Sequence, residues 1–91
     1  MPEYKVFLHK KALKYLAELQ QDEIKKKIKQ TVENLANYPL SLREMDAQKL
    51  EGFERAFRIR VGRYRVFFSV DKKSKVVYVT QIEKRESAYE G

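Results

Sequence analysis

Tyr4, Val6 and Leu8 alternate with Lys5, Phe7 and His9, the two-residue period of a strand with one buried face. The period then changes. Ala12, Leu13, Leu16, Ala17 and Leu19 recur at helical spacing and predict a short amphipathic helix over residues 10–19. Gln20-Gln21-Asp22 reads as the following turn, with Asp22 as the N-cap of a second helix. Ile24, Ile28, Val32 and Leu35 mark that helix to about Asn37, and Tyr38-Pro39 ends it. The two helices make an antiparallel hairpin whose apolar faces need a cover.

The second half supplies one. Leu40–Gln48 is polar and reads as a connection, and Lys49-Leu50-Glu51-Gly52 leads through a turn at Gly52 toward a strand. In Ala56–Val61, Phe57, Ile59 and Val61 point one way while Arg58 and Arg60 point the other. Gly62-Arg63 reads as a tight hairpin turn, the glycine being free to take positive φ. Tyr64–Val70 carries Tyr64, Val66, Phe68 and Val70 on one face, with Arg65, Phe67 and Ser69 on the other. Asp71–Lys75 is a second turn. Val76–Ile82 is apolar on both sides, so alternation does not assign its faces. The expected order is β-α-α-β-β-β, an α+β fold in which a small, mostly antiparallel sheet packs on the N-terminal helical hairpin.

At 91 residues and 10.9 kDa, a single domain spanning 1–91 is expected, because so short a chain has one modest core to bury. Six Tyr and five Phe separate it from a disordered tail. No apolar run approaches the roughly 18 residues of a membrane span. Met1-Pro2-Glu3-Tyr4-Lys5 leads into no secretory segment, so a cytoplasmic protein with no membrane partner is expected. The chain has no Cys and one His, His9, which argues against disulfides, thiol chemistry and zinc. Gly52, Gly62 and Gly91 form neither a P-loop nor a dinucleotide fingerprint. Neither a metal nor a small-molecule cofactor is expected.

Charge is what remains. Twenty Lys+Arg against thirteen Asp+Glu give +7 and suit a polyanion or an acidic protein, though lysines also simply solvate small domains. Distribution favours a site. Arg55, Arg58, Arg60, Arg63 and Arg65 crowd into eleven residues, and with Lys49 they outnumber Glu51 and Glu54 by 6 to 2. Arginine offers a planar fork of donors suited to phosphate and keeps its proton near neutrality. Strand alternation sets Arg58 and Arg60 about 7 Å apart on one face, and the hairpin can add Arg65. Three such cations repel one another unless an anion joins them, so the face is read as a phosphate site rather than a solvated strand. Phe67, between Arg65 and Ser69, is either a base-stacking platform or structural. Tyr64 belongs with the core, His9 with the strand end, and Lys25, Lys26, Lys27 and Lys29 with a solvated helix face or an auxiliary contact.

Lys49-Leu50-x-Gly52, then Phe57-Arg58-Ile59-Arg60-Val61-Gly62-x-Tyr64-Arg65-Val66, then Lys84-Arg85 and Tyr89 together resemble the RelE toxins of the RelE/ParE superfamily. The opening Lys11-Ala12-Leu13-Lys14 also fits, and the resemblance runs over almost the whole chain. It implies a small sheet on two N-terminal helices, and a toxin that enters the ribosomal A site and cuts the mRNA there. It also implies silencing by a cognate acidic, RelB-like antitoxin. By position, Arg58 and Arg60 match two basic strand residues that are lysines in well-known bacterial members. Arg65 matches the transition-state arginine, Arg85 the residue assigned to leaving-group protonation, and Tyr89 the tyrosine that stacks on the substrate base. These five form the expected catalytic set, with Lys49, Arg55, Arg63, Phe67 and Lys84 as RNA contacts.

Two departures matter. Arginine at position 60 is a poor general base, since a guanidinium group keeps its proton near neutrality. Only two residues follow Tyr89, so no long C-terminal helix is expected. The expected activity is a metal-independent endoribonuclease acting on ribosome-bound mRNA, working mostly through positioning and fixed cations. The alternatives are a ParE-like gyrase poison that performs no chemistry, and a non-toxic family member that retains only antitoxin binding.

Overall fold

The computed structural model describes residues 3–52 and 55–84. Lys5–Leu8 forms β1, and His9 ends it by turning into the first helix, α1, Lys10–Glu18. The His9 Nδ1 accepts a hydrogen bond from the Lys11 N–H at 3.1 Å, which satisfies one of the orphan donors of the first turn. The strand-end histidine is thus also a helix cap. Helix α2 runs Asp22–Asn34 and continues as a 3-10 turn, Leu35–Asn37. Its N-cap is Gln21, without a side-chain bond, rather than Asp22. Asp22 and Glu23 lie in the first turn, where acidic groups complement the helix dipole.

The predicted stripe of α2 is the one buried: Ile28, Val32 and Leu35 are in the core, with Ile24 half-buried beside them. The stripe of α1 is narrower than its sequence suggests. Ala12 and Leu16 are buried and Tyr15 and Leu19 pack at the margin, whereas Ala17 is exposed and Leu13 is 55% exposed. A helix lying over one strand of a sheet buries an i, i+4 row and leaves the next position in solvent.

The polar connection holds the main departure from the expected order. Leu40–Glu44 is a 3-10 turn, and Asp46–Lys49 is a strand, β2, at the edge of the sheet. Asp-Ala-Gln-Lys has no apolar alternation because an edge strand that buries little needs none. The remaining strands are β3 (Ala56–Val61), β4 (Tyr64–Asp71) and β5 (Val76–Lys84). Among the described residues five strands therefore stand where the pattern predicts four, in the order β1-β5-β4-β3-β2. Only the β1–β5 pairing is parallel.

Gly62 takes φ +60° at the first position of the β3–β4 turn, as expected. A β-bulge between Phe67 and Phe68 explains why β5 resisted assignment. Val77 and Val79 face the core, one residue is then inserted, and Ile82 faces the core again. Phe68, Ile59, Val66, Val77 and Val79 meet Ile28 and Leu35 in a fully buried layer between sheet and helices. Each such side chain contributes roughly 1.5–3 kcal/mol by leaving water. An aromatic series, Tyr4–Tyr38–Phe57–Phe68, closes one end, with centroid separations of 5.2, 6.0 and 5.2 Å. Among the described residues no helix is long and apolar enough to cross a membrane.

Candidate functional site

Both described helices lie on one face of the sheet, and register decides what stands on the other. Arg60 lies opposite Arg65 across β3 and β4, and Arg58 lies opposite Phe67. On the outer side, β2 sets Asp46 opposite Arg60 and Gln48 opposite Arg58. On the inner side, β5 sets Glu83 opposite Arg65 and Gln81 opposite Phe67. Two parallel rows result: Asp46–Arg60–Arg65–Glu83 and Gln48–Arg58–Phe67–Gln81.

The three arginines predicted to converge do converge, but they are not bare. The Arg60 Nε donates to the Asp46 carboxylate at 3.0 Å, and an Arg65 Nη stands 3.3 Å from the Glu83 carboxylate. An Nη of Arg58 donates to the Gln48 amide oxygen, and the Arg58 Nε is buried with no hydrogen-bond partner among the described residues. Like charges directly opposed across a ladder destabilise it. Asp46 and Glu83 offset that repulsion, leaving +3 − 2 = +1 over the two rows. The view that only an external anion can hold the arginines together is corrected by these two carboxylates. Their strand context hides them from a sequence reading: Asp46 lies in a segment that reads as a loop, and Glu83 follows a bulge that shifts the phase. The repeat of charged and amide residues at Asp46 and Gln48, six residues or fewer before the Gly52 turn, is the signal that points to a paired edge strand.

The other predicted contacts divide. Phe67 stands on the arginine face, half-buried beside Arg58. Lys49 pairs in register with Phe57 and Lys84 with Tyr64, so alternation turns both toward the helix-covered side. Arg55 precedes β3 and interacts electrostatically with Tyr38, also on that side. Arg63 is exposed in the β3–β4 turn. Arg85 and Tyr89 lie outside the described residues. Lys27, from the lysine run of α2, lines a cleft of about 260 Å³ with Thr31, Asp46 and Arg60 at the end of the charged row. Tyr64 is buried and makes an edge contact with Tyr15, as its place in the core pattern requires.

Burial raises the Tyr38 phenol above its ordinary pKa; neighbouring Tyr4 adds to the shift and Arg55 opposes it. That group stands behind the sheet, on the side away from Arg58, Arg60 and Arg65.

Arg58, Arg60 and Arg65 thus stand in register on one face of the sheet, with the two-helix layer on the other. Comparison with known proteins gives the class. Residues 6–89 match the family described as ParE toxin of type II toxin–antitoxin system, parDE. A relative named RelE1 from Methanocaldococcus jannaschii is 31% identical over 86 residues, covering 94% of each chain. The chain resembles the archaeal RelE–RelB complex from Pyrococcus horikoshii at TM-score 0.79 and 30% identity, covering 93% of this chain and 98% of that one. The isolated Escherichia coli RelE toxin matches at TM-score 0.76 and 22% identity, over 96% and 92% of the two chains, and so shares the fold. The chain belongs to the RelE/ParE superfamily and is a RelE-like toxin of type II toxin–antitoxin systems.

Proposed function

We propose that this toxin is an endoribonuclease that enters the ribosomal A site and cuts the mRNA held there. The observation that carries the reading is the register of β3 and β4: Arg60 opposite Arg65, with Arg58 one step along, on the face opposite α1 and α2. In-line cleavage joins the 2′-oxygen to phosphorus as its proton passes to water, and breaks the bond to the 5′-oxygen, which takes up a proton as it leaves, so negative charge grows on the phosphoryl oxygens and on the leaving oxygen. Fixed guanidinium groups stabilise that charge, each typically by a few kcal/mol. Arg58, Arg60 and Arg65 fill this role, and by family position Arg85 serves the leaving group while Tyr89 stacks on a base. Arg60 holds its proton throughout, so it binds and does not act as the base. Rate then comes from positioning, which the ribosome assists by holding the mRNA.

Phosphate must compete with Asp46 and Glu83 for the guanidinium groups, which makes weak cleavage of free RNA the expected behaviour. Phe67, Arg63, Lys49, Arg55 and Lys84 remain proposed as RNA contacts, the last three through the side of the sheet that carries the helices. The proposed partners are the ribosome, mRNA and a cognate acidic, RelB-like antitoxin, in the cytoplasm; three solved relatives are RelE–RelB or RelB–RelE complexes. Toeprinting of an mRNA on programmed ribosomes tests the reading, run beside a gyrase supercoiling assay. Cuts within the A-site codon are expected. Intact mRNA with inhibited supercoiling would move the protein to the gyrase-poison branch.

A further inference from the structure

Two large rings stand in solvent on the open face, beyond the arginine rows. Phe7 of β1 is 49% exposed and Tyr78 of β5 is 46% exposed. They are direct partners in the parallel ladder, and their rings stack at 6.0 Å with an interplanar angle of 27°. An open groove of about 520 Å³ runs beside them, lined by Ser69, Thr80 and His9. Nothing in the core requires this arrangement, because alternation places both rings on the side away from the helices.

The ledge is continuous with the arginine face. Tyr78 pairs with Ser69, which pairs with Ala56, so the ledge occupies the row next to Arg58–Phe67. From Phe67 to Phe7 the path crosses two strand spacings and one two-residue step, about 12 Å at usual sheet dimensions. Phe67, Tyr78 and Phe7 thus form a diagonal of rings leading away from the guanidinium groups. Its edge is basic, because Lys5 is the next residue of β1 on this face. The nearest carboxylate on β4, Asp71, is turned into its own loop, accepting from the N–H groups of Lys73 and Ser74. Stacked, exposed rings beside cations fit unpaired bases joined by a phosphate chain.

We propose that Phe7 and Tyr78 form a second base-stacking subsite, which holds unpaired nucleotides flanking the position engaged by the arginines. The proposal rests on the RNA reading above, and its test separates the two. The probe is a 2′-O-methyl nonanucleotide, whose blocked hydroxyl prevents cleavage, compared with the same backbone bearing abasic sugars. Binding is measured by fluorescence anisotropy, with thermal melts confirming each variant's fold. Phe7→Ala and Tyr78→Ala are each expected to weaken the base-bearing oligomer about tenfold and to leave the abasic one unchanged. Phe7→Tyr and Tyr78→Phe should keep full affinity. Arg60→Ala should weaken both oligomers and reduce the salt dependence.

Wild-type affinity in the two alanine variants, with Arg60→Ala impaired, would overturn the ledge and leave the RNA reading standing. No effect from Arg60→Ala either would remove the RNA reading along with the ledge. Full affinity in Phe7→Leu and Tyr78→Leu would also overturn the proposal, because it would assign the face to any apolar partner, such as a peptide, rather than to bases.

Discussion

Replacing Asp46 by asparagine should make this protein bind RNA more tightly. The carboxylate holds the Arg60 Nε at 3.0 Å, and both side chains are about half exposed, 50% for Arg60 and 56% for Asp46. Exposed pairs of this kind contribute about 0.2–1 kcal/mol, so the melting temperature should fall by about 1–8 °C at most. Asparagine retains an oxygen to accept from Nε, which preserves the orientation of the guanidinium group. A phosphate on the Nη edge would lie roughly 6 Å from the carboxylate, a repulsion of about 0.7–1.4 kcal/mol at an effective dielectric of about 80 to 40. Removing it, less a small loss in preorganisation, should improve affinity about two- to fivefold. Anisotropy titrations with an uncleavable oligoribonucleotide across a salt series measure this, and the gain should shrink as salt rises. Weaker binding by Asp46→Asn would refute the competition argument and make Asp46 a group that positions Arg60. A gain that persists unchanged at high salt would show that the effect is not electrostatic.

Arg65→Ala should reduce A-site cleavage at least tenfold on programmed ribosomes and also lower the unfolding free energy by about 1 kcal/mol, because Glu83 loses its cationic partner in a partly sheltered site and keeps, among the described residues, only the bond from Gln81. His9→Ala should cost about 0.5–1 kcal/mol in urea unfolding through loss of the α1 cap, while cleavage stays normal and the pH–rate profile shows no ascending limb from histidine between about pH 6 and 9. The raised pKa of Tyr38 means that the folded state holds the phenolic proton more tightly than the unfolded chain does. Its contribution is therefore intact below the ordinary phenol value of about 10 and is lost as pH rises through the folded value; urea midpoints should fall in that range, and Tyr38→Phe should flatten the decline.

Much of this molecule is legible along the chain because burial imposes a period. Ile24, Ile28, Val32 and Leu35 had to face a core once they lay on a helix, and Phe57, Ile59 and Val61 had to oppose Arg58 and Arg60 once they lay on a strand. The position of Gly62 followed from backbone sterics, since its φ of +60° suits few other residues. The arginine cluster and its resemblance to RelE toxins were visible for the same reason: alternation carries face information without any knowledge of neighbours.

What lies beside those arginines belonged to pairing, which local sequence does not encode. Asp46 and Gln48 sit in a stretch without hydrophobic alternation, and only hydrogen bonding to β3 makes them strand residues that touch Arg60 and Arg58. Glu83 reaches Arg65 because a bulge shifts β5 by one residue, and a one-residue shift exchanges the faces of a strand. The same register turned Lys49 and Lys84 away from the arginine face and brought Phe7, seventy-one positions earlier in the chain, against Tyr78. Periodicity determined which side chains are inward; strand register, a relation between distant segments, decided which outward side chains meet.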